Sequence, residues 1–146
     1  MAATYTTNLN LAKPATSDPV DVSVLNSNMD KVDAACGTIT GSITMASGWT
    51  LGTSEAIIRQ YGKVVVVRFY ATKDSSIASA GTENVGTISG VALPSSNVRN
   101  ICYTGTDAWV VSNTGYVILD NTGVIGVRSN GATDDTVQIE LVYIVA

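Results

Sequence analysis

The sequence predicts a mainly β protein: an antiparallel β-sandwich or jelly-roll head preceded by a short N-terminal coiled-coil helix. Three observations carry this expectation. From about residue 48 onward, short runs of β-branched and aromatic residues recur at roughly ten-residue spacing, punctuated by Gly, Asn and Asp. No long helical run interrupts them, which argues against a βαβ sheet. Upstream, Val22, Leu25, Met29, Val32 and Cys36 fall at alternating spacings of three and four, a narrow heptad stripe.

Composition narrows the function classes. Charged residues make up 14% of the 146 and apolar residues 45%, against roughly 25% charged in an average globular protein. Such a chain is not disordered, which requires low hydrophobicity and high charge. The net charge of −4 and the absence of any Lys/Arg cluster exclude an electrostatic nucleic-acid binder. There is no histidine, so His-based serine triads, His-ligated zinc and haem-type ligation are excluded together. The N-terminus lacks the basic and apolar regions of a signal peptide. The longest apolar runs, Val64–Val67 and Leu141–Ala146, are far shorter than the roughly 20 residues of a membrane span. Synthesis in a cytoplasm is the expectation, with no membrane insertion. Cys36 and Cys102 are the only cysteines, without a CxxC motif, and both read as small core hydrophobes.

Taken in order, residues 1–36 read as an arm and helix, 37–54 as a connector and 55–146 as the head. The polar stretch up to Ser17 contains Lys13-Pro14. It reads as an extended arm, because a residue before proline is pushed out of the helical region. Asp18-Pro19 supplies a helix start, an N-cap acceptor followed by proline at the first helical position, and Gly37 falls where a C-cap is expected. An isolated helix of this length is marginal in water, so the stripe must be covered. Its narrowness favours copies of the same chain over the protein's own head, which would call for a broader apolar face. The near-repeat Gly37-Thr-Ile-Thr-Gly41-Ser-Ile-Thr44 reads as a short extended connector.

The predicted strands cover Glu55–Gln60, Lys63–Thr72, Asn84–Ile88, Val98–Tyr103, Asp107–Ser112, Tyr116–Asp120, Val124–Arg128 and Thr136–Val145. Turns are expected at Tyr61-Gly62, at Thr104-Gly105-Thr106 and at Asn121-Thr-Gly123, the last a three-residue hairpin loop with glycine at its end. Val64–Val67 and Val137–Ile144 carry little of the Lys and Glu that blunt exposed β edges. Cover by other subunits explains that economically.

Two segments resemble a known class of protein. Tyr5-Thr-Thr-Asn8-Leu9-Asn-Leu11-Ala-Lys13-Pro14, followed by Asp18, Asp21-Val22, Leu25-Asn26, Asn28 and Asp30 to Asp33, resembles the opening of many phage tail-appendage proteins. Met29 stands where that family often has an aromatic residue or alanine. The pieces Arg59-Gln-Tyr61-Gly62-Lys63-Val64-Val65, Thr87-Ile88, Leu93-Pro94, Asn113-Thr-Gly115-Tyr116-Val-Ile118 and Leu141-Val-Tyr143-Ile144 resemble the distal domain of phage tail-fibre and receptor-binding proteins. Members often have a second proline soon after the first, which Ser95-Ser-Asn97-Val-Arg99 lacks. The resemblance implies a homotrimeric virion appendage, with the arm attached to other tail or baseplate proteins, a short coiled coil and an outward β head.

Candidate sites follow. Val22, Leu25, Met29, Val32 and Cys36 are the candidate oligomerisation residues. Arg99, Tyr103, Asp107 and Trp109 combine an aromatic face with charged groups around one turn, the mixture that holds a saccharide. Trp109 alternates in phase with Val111, so core or interface packing is the competing reading, and Trp49 reads as a plug under the head. Asp120-Asn121-Thr-Gly123 and Asn130-Gly131-Ala-Thr-Asp134-Asp135 offer oxygen ligands for calcium, yet neither fits an EF-hand loop and both suit tight turns. No metal, cofactor or catalytic residue is therefore expected. Glu55, Glu83 and Glu140 are too few and too scattered for a glycosidase pair. The leading expectation is a non-catalytic attachment protein that binds a bacterial surface glycan multivalently. A purely structural virion protein, such as a head fibre or baseplate adaptor, is the alternative.

Overall fold

A computed structural model describes residues 4–6, 10–13, 21–52, 56–106, 113–131 and 133–146. The chain divides into two compact units, 1–38 and 39–146.

In the first unit, β1 (Thr4–Tyr5) and β2 (Ala12–Lys13) form a small antiparallel hairpin, with Tyr5 opposite Ala12. Thr6 N–H donates to Leu11 C=O at 2.9 Å inside it. The arm is thus folded back where an extended segment was expected. Helix α1 spans Val22–Cys36. The Asp18-Pro19 start lies outside the described residues, and the observed N-cap is Asp21, whose Oδ1 accepts from Ser23 N–H at 2.8 Å and from its hydroxyl at 2.7 Å. Gly37 follows the helix as expected and donates its N–H to Asp33 C=O at 2.7 Å.

The second unit is one antiparallel sheet curled almost into a barrel, rather than the two facing sheets of a sandwich or jelly roll. Its strands are β3 (Thr38–Thr40), β4 (Ser42–Met45), β5 (Trp49–Leu51), β6 (Ile57–Tyr61), β7 (Val64–Lys73), β8 (Glu83–Ser89), β9 (Val98–Gly105), β10 (Asn113–Leu119), β11 (Val124–Ser129) and β12 (Thr136–Ile144). They run in the order β3-β6-β7-β12-β9-β10-β11-β8-β4, with β5 added alongside β7. The two ends of that order, β3 and β4, are consecutive in the chain and separated only by Gly41. This is the physical reason for the departure from a sandwich: one nearly continuous extended segment pairs at both free edges and draws them together. Much of the 37–54 stretch, expected as a connector, is accordingly woven into the sheet.

The core follows from alternation. Val65, Val67, Phe69 and Ala71 of β7 point inward and lie directly opposite Tyr143, Leu141, Ile139 and Val137 of β12. Each of the Val, Leu, Ile and Phe side chains among them gains about 1.5–3 kcal/mol from leaving water. Trp49 is buried in the same core. Cys102 joins it, whereas Cys36 is exposed, against the expectation for both cysteines. The expected turn at Thr104-Gly105 is instead the end of β9, because Gly105 and Thr104 pair with Thr136 and Val137 of β12. The expected strand 107–112 lies outside the described residues, and the partner of β9 is β10.

Candidate functional site

Two features of the structure present side chains to the outside in a way that calls for a partner: the stripe of α1 and the outer face of β9, β10 and β11.

On α1, Val22, Leu25 and Met29 are 63%, 55% and 58% exposed, Val32 is half-buried and Cys36 exposed. The hairpin lies against a different flank. Asn28 holds the β2 backbone with both ends of its amide, Oδ1 accepting from Ala12 N–H at 2.9 Å and Nδ2 donating to Ala12 C=O at 3.0 Å. Lys31 Nζ donates to Asn10 C=O at 2.7 Å. At 3.6 residues per turn, Asn28 and Lys31 centre roughly 110° round the helix from the stripe. The arm therefore leaves the apolar seam open. Asn28 was visible in the sequence only as part of a motif, and its clamping role needs the fold.

On β9, Cys102 and Thr104 face inward while Arg99, Ile101 and Tyr103 face out. The register then assembles a surface from three strands. Tyr103 lies opposite Thr114, Ile101 opposite Tyr116, and Arg99 opposite Ile118 of β10, while Arg128 of β11 lies opposite Tyr116. Ile101, Tyr103 and Tyr116 are 59%, 54% and 56% exposed. Arg128 donates Nε–H to Ser79 C=O at 2.8 Å, which anchors its guanidinium beside the segment before β8. Of the four predicted ligand residues, Arg99 and Tyr103 thus share one face. Asp107 and Trp109 lie outside the described residues. Ile101, Tyr116 and Arg128 were not foreseen. Outward alternation marks Tyr116 as a surface residue, but only the register places it beside Ile101.

A buried polar knot anchors this face from beneath. Asp134, 1% exposed, precedes β12 and accepts from one residue of each platform strand. Its Oδ2 takes the Thr104 hydroxyl of β9 at 2.6 Å and the Ser129 hydroxyl of β11 at 2.5 Å, while Oδ1 takes the Asn113 amide of β10 at 3.0 Å. Gly131 N–H donates in turn to Ser129 Oγ at 2.9 Å. Burial alone would push the Asp134 carboxyl upward. The Ser129, Thr104 and Asn113 donors outweigh it and hold the group below the usual carboxylate range. Asp120, in the β10–β11 turn, is likewise lowered by the Thr122 hydroxyl and neighbouring backbone N–H groups, its Oδ1 accepting from Thr122 N–H at 2.8 Å and Val124 N–H at 3.0 Å. Asp120 Oδ1 and both Asp134 oxygens are engaged in the chain's own hydrogen bonds, whereas Asp135 Oδ1 is buried without a partner; among the described residues no group of three acidic or Cys residues gathers as a metal site.

No protein-family model matches the chain, and no curated protein matches it. Among solved structures, the fold is similar to the receptor binding protein (gp15) of Listeria phage PSA, with a TM-score of 0.60 and 14% sequence identity. The likeness covers 86% of this chain and 75% of that one. What the two share at that identity is the fold.

Proposed function

We propose that this chain is a phage attachment protein that acts without catalysis, as a homotrimeric appendage of the virion. The observation that carries the reading is the fold likeness to a phage receptor-binding protein over 86% of the chain. In this reading α1 associates with copies of itself through Val22, Leu25, Met29, Val32 and Cys36, the arm engages other virion tail or baseplate proteins, and the β barrel faces the host. Three heads on one stalk convert weak contacts with a surface glycan into avidity, worth on the order of 10²–10⁴ over a single contact.

Light scattering on the purified chain tests assembly. A mass of three times 15.1 kDa is expected, falling towards one protomer in Leu25→Asn/Met29→Asn; a wild-type mass near 15.1 kDa at micromolar concentration rejects the trimer. Binding of labelled protein to a panel of intact bacteria, with and without stripped surface polysaccharide, tests attachment. Retention that disappears on stripping supports it. Absence of retention across the panel favours the structural virion protein.

A further inference from the structure

We propose that the outer face of β9, β10 and β11 is a binding platform for a saccharide bearing phosphate or carboxylate groups. The proposal rests on the attachment reading and gives that site its ligand chemistry.

Two tyrosines form its centre. Because Tyr103 pairs with Thr114 and Ile101 with Tyr116, the tyrosines are diagonal neighbours on adjacent strands, with backbones about 7–8 Å apart. That separation places two rings under adjacent parts of one sugar unit or of two linked units. Their exposed faces, with Ile101 between them, offer the flat apolar surface on which the C–H face of a pyranose stacks, while the phenol groups remain free to hydrogen-bond hydroxyls.

Arginines flank the rings. Arg128 stands beside Tyr116, and Arg99 stands beside Ile118, one row beyond Ile101. Among the described residues neither forms an ion pair. Ser79 engages Arg128 only at Nε, leaving its two terminal nitrogens to grip an oxyanion side by side. The outward residues of the three strands' paired rows are Arg99, Ile101, Tyr103, Thr114, Tyr116, Ile118 and Arg128, without one acid; the exposed Glu140 of the neighbouring β12 lies opposite another arginine, Arg68 of β7. That is a local positive charge on a chain of net −4.

The charge pattern also selects the occupant. Sealing this face against the same face of a second copy would bring like-charged guanidinium groups together out of water, at several kcal/mol each. An extended acidic peptide usually gains affinity by adding a strand to an open edge, but β10 and β11 are paired on both sides. A hydrated polymer that brings its own anions and stacks by its sugar rings meets both constraints.

The test uses the full chain in biolayer interferometry on four immobilised probes: a poly(glycerol phosphate) polymer, polygalacturonate, neutral dextran and polyglutamate. Binding to one or both of the first two, weakening with added salt, is expected. Arg99→Gln/Arg128→Gln and Tyr103→Ala/Tyr116→Ala should each weaken that binding roughly tenfold or more. Arg59→Gln on β6, which removes one positive charge elsewhere on the barrel, should leave it within about twofold. Unchanged circular dichroism and thermal midpoints establish that the variants fold. The phosphate and carboxylate arms distinguish the two sources of negative charge. Absence of binding to both anionic glycans overturns the proposal, as does dextran or polyglutamate binding equally well, or an equal loss in Arg59→Gln. If Arg99→Gln/Arg128→Gln still attaches to bacteria as wild type does, this platform fails while the attachment reading stands; if wild type attaches to none, the attachment reading fails.

Discussion

Asp134 is a charged residue placed where charge is costly, and it survives there because three strands bring it donors. Replacing it with alanine leaves Thr104, Ser129 and Asn113 facing a buried void. A loss of about 2–4 kcal/mol is expected by urea denaturation. The pH dependence has a definite sign. A carboxylate whose folded value lies below its unfolded value adds stability that is complete above the unfolded value, about 3.9, and is lost as pH falls through the folded value. The thermal midpoint should therefore be steady above about pH 5 and fall below the ordinary carboxylate range, with a shallower fall in Asp134→Asn. The cysteines provide a second residue-scale check. Burial raises the Cys102 thiol to about 11, so roughly one molecule in a thousand or fewer carries its thiolate at neutral pH. Cys102 should resist a disulfide reagent until the protein is unfolded. Cys36, exposed on the protomer, should label readily in dilute protein and more slowly as concentration rises, if copies close over the seam. The sequence reading of both cysteines as core hydrophobes holds for Cys102 and fails for Cys36. What separates them is that Cys102 falls on the inward phase of a strand and Cys36 on an unpaired helix stripe.

Among the elements, Gly41 decides whether the barrel closes. Its N–H donates to Ile58 C=O at 2.7 Å on β6. A Cβ placed there would lie 2.6 Å from Ser89 C=O at the end of β8 and 2.6 Å from Ile58 Cγ2. Glycine is required by close approach from both sides at once. Gly41→Ala should cost about 1–3 kcal/mol, and hydrogen exchange should quicken selectively along β3 and β4 as the seam parts. The strands themselves were largely readable. Runs rich in valine, isoleucine and aromatics marked β7 and β12 to within a residue or so, and Asn121-Thr-Gly123 turns between β10 and β11 as expected, with Gly123 at φ 91°. Register was not readable, because pairing partners are set by which faces meet across the core. That is why Arg99 and Tyr103 were grouped with residues of the following turn rather than with Tyr116 and Arg128. At α1 the stripe and Gly37 were legible. The cap was not, since Asp18 and Asp21 are both competent acceptors and only the observed chain path selects Asp21.

For the molecule as a whole, strand content and antiparallel pairing followed from the sequence, whereas closure did not. A sandwich and a barrel ask for the same alternation of apolar and polar residues. The difference lay in eight residues, Gly37 to Thr44, whose periodic glycines read equally well as a tether. The order of strands carries a further consequence. β12, the last of them along the chain, sits between β7 and β9 in the middle of the sheet. While the ribosome is still delivering it, the inward residues of β7 lack their cross-strand partners on β12. A nascent chain can form the β6–β7 and β10–β11 hairpins early, but the long-range step waits for β12 to emerge. Until β12 joins it, the incomplete sheet exposes apolar strand faces that are prone to associate with other chains.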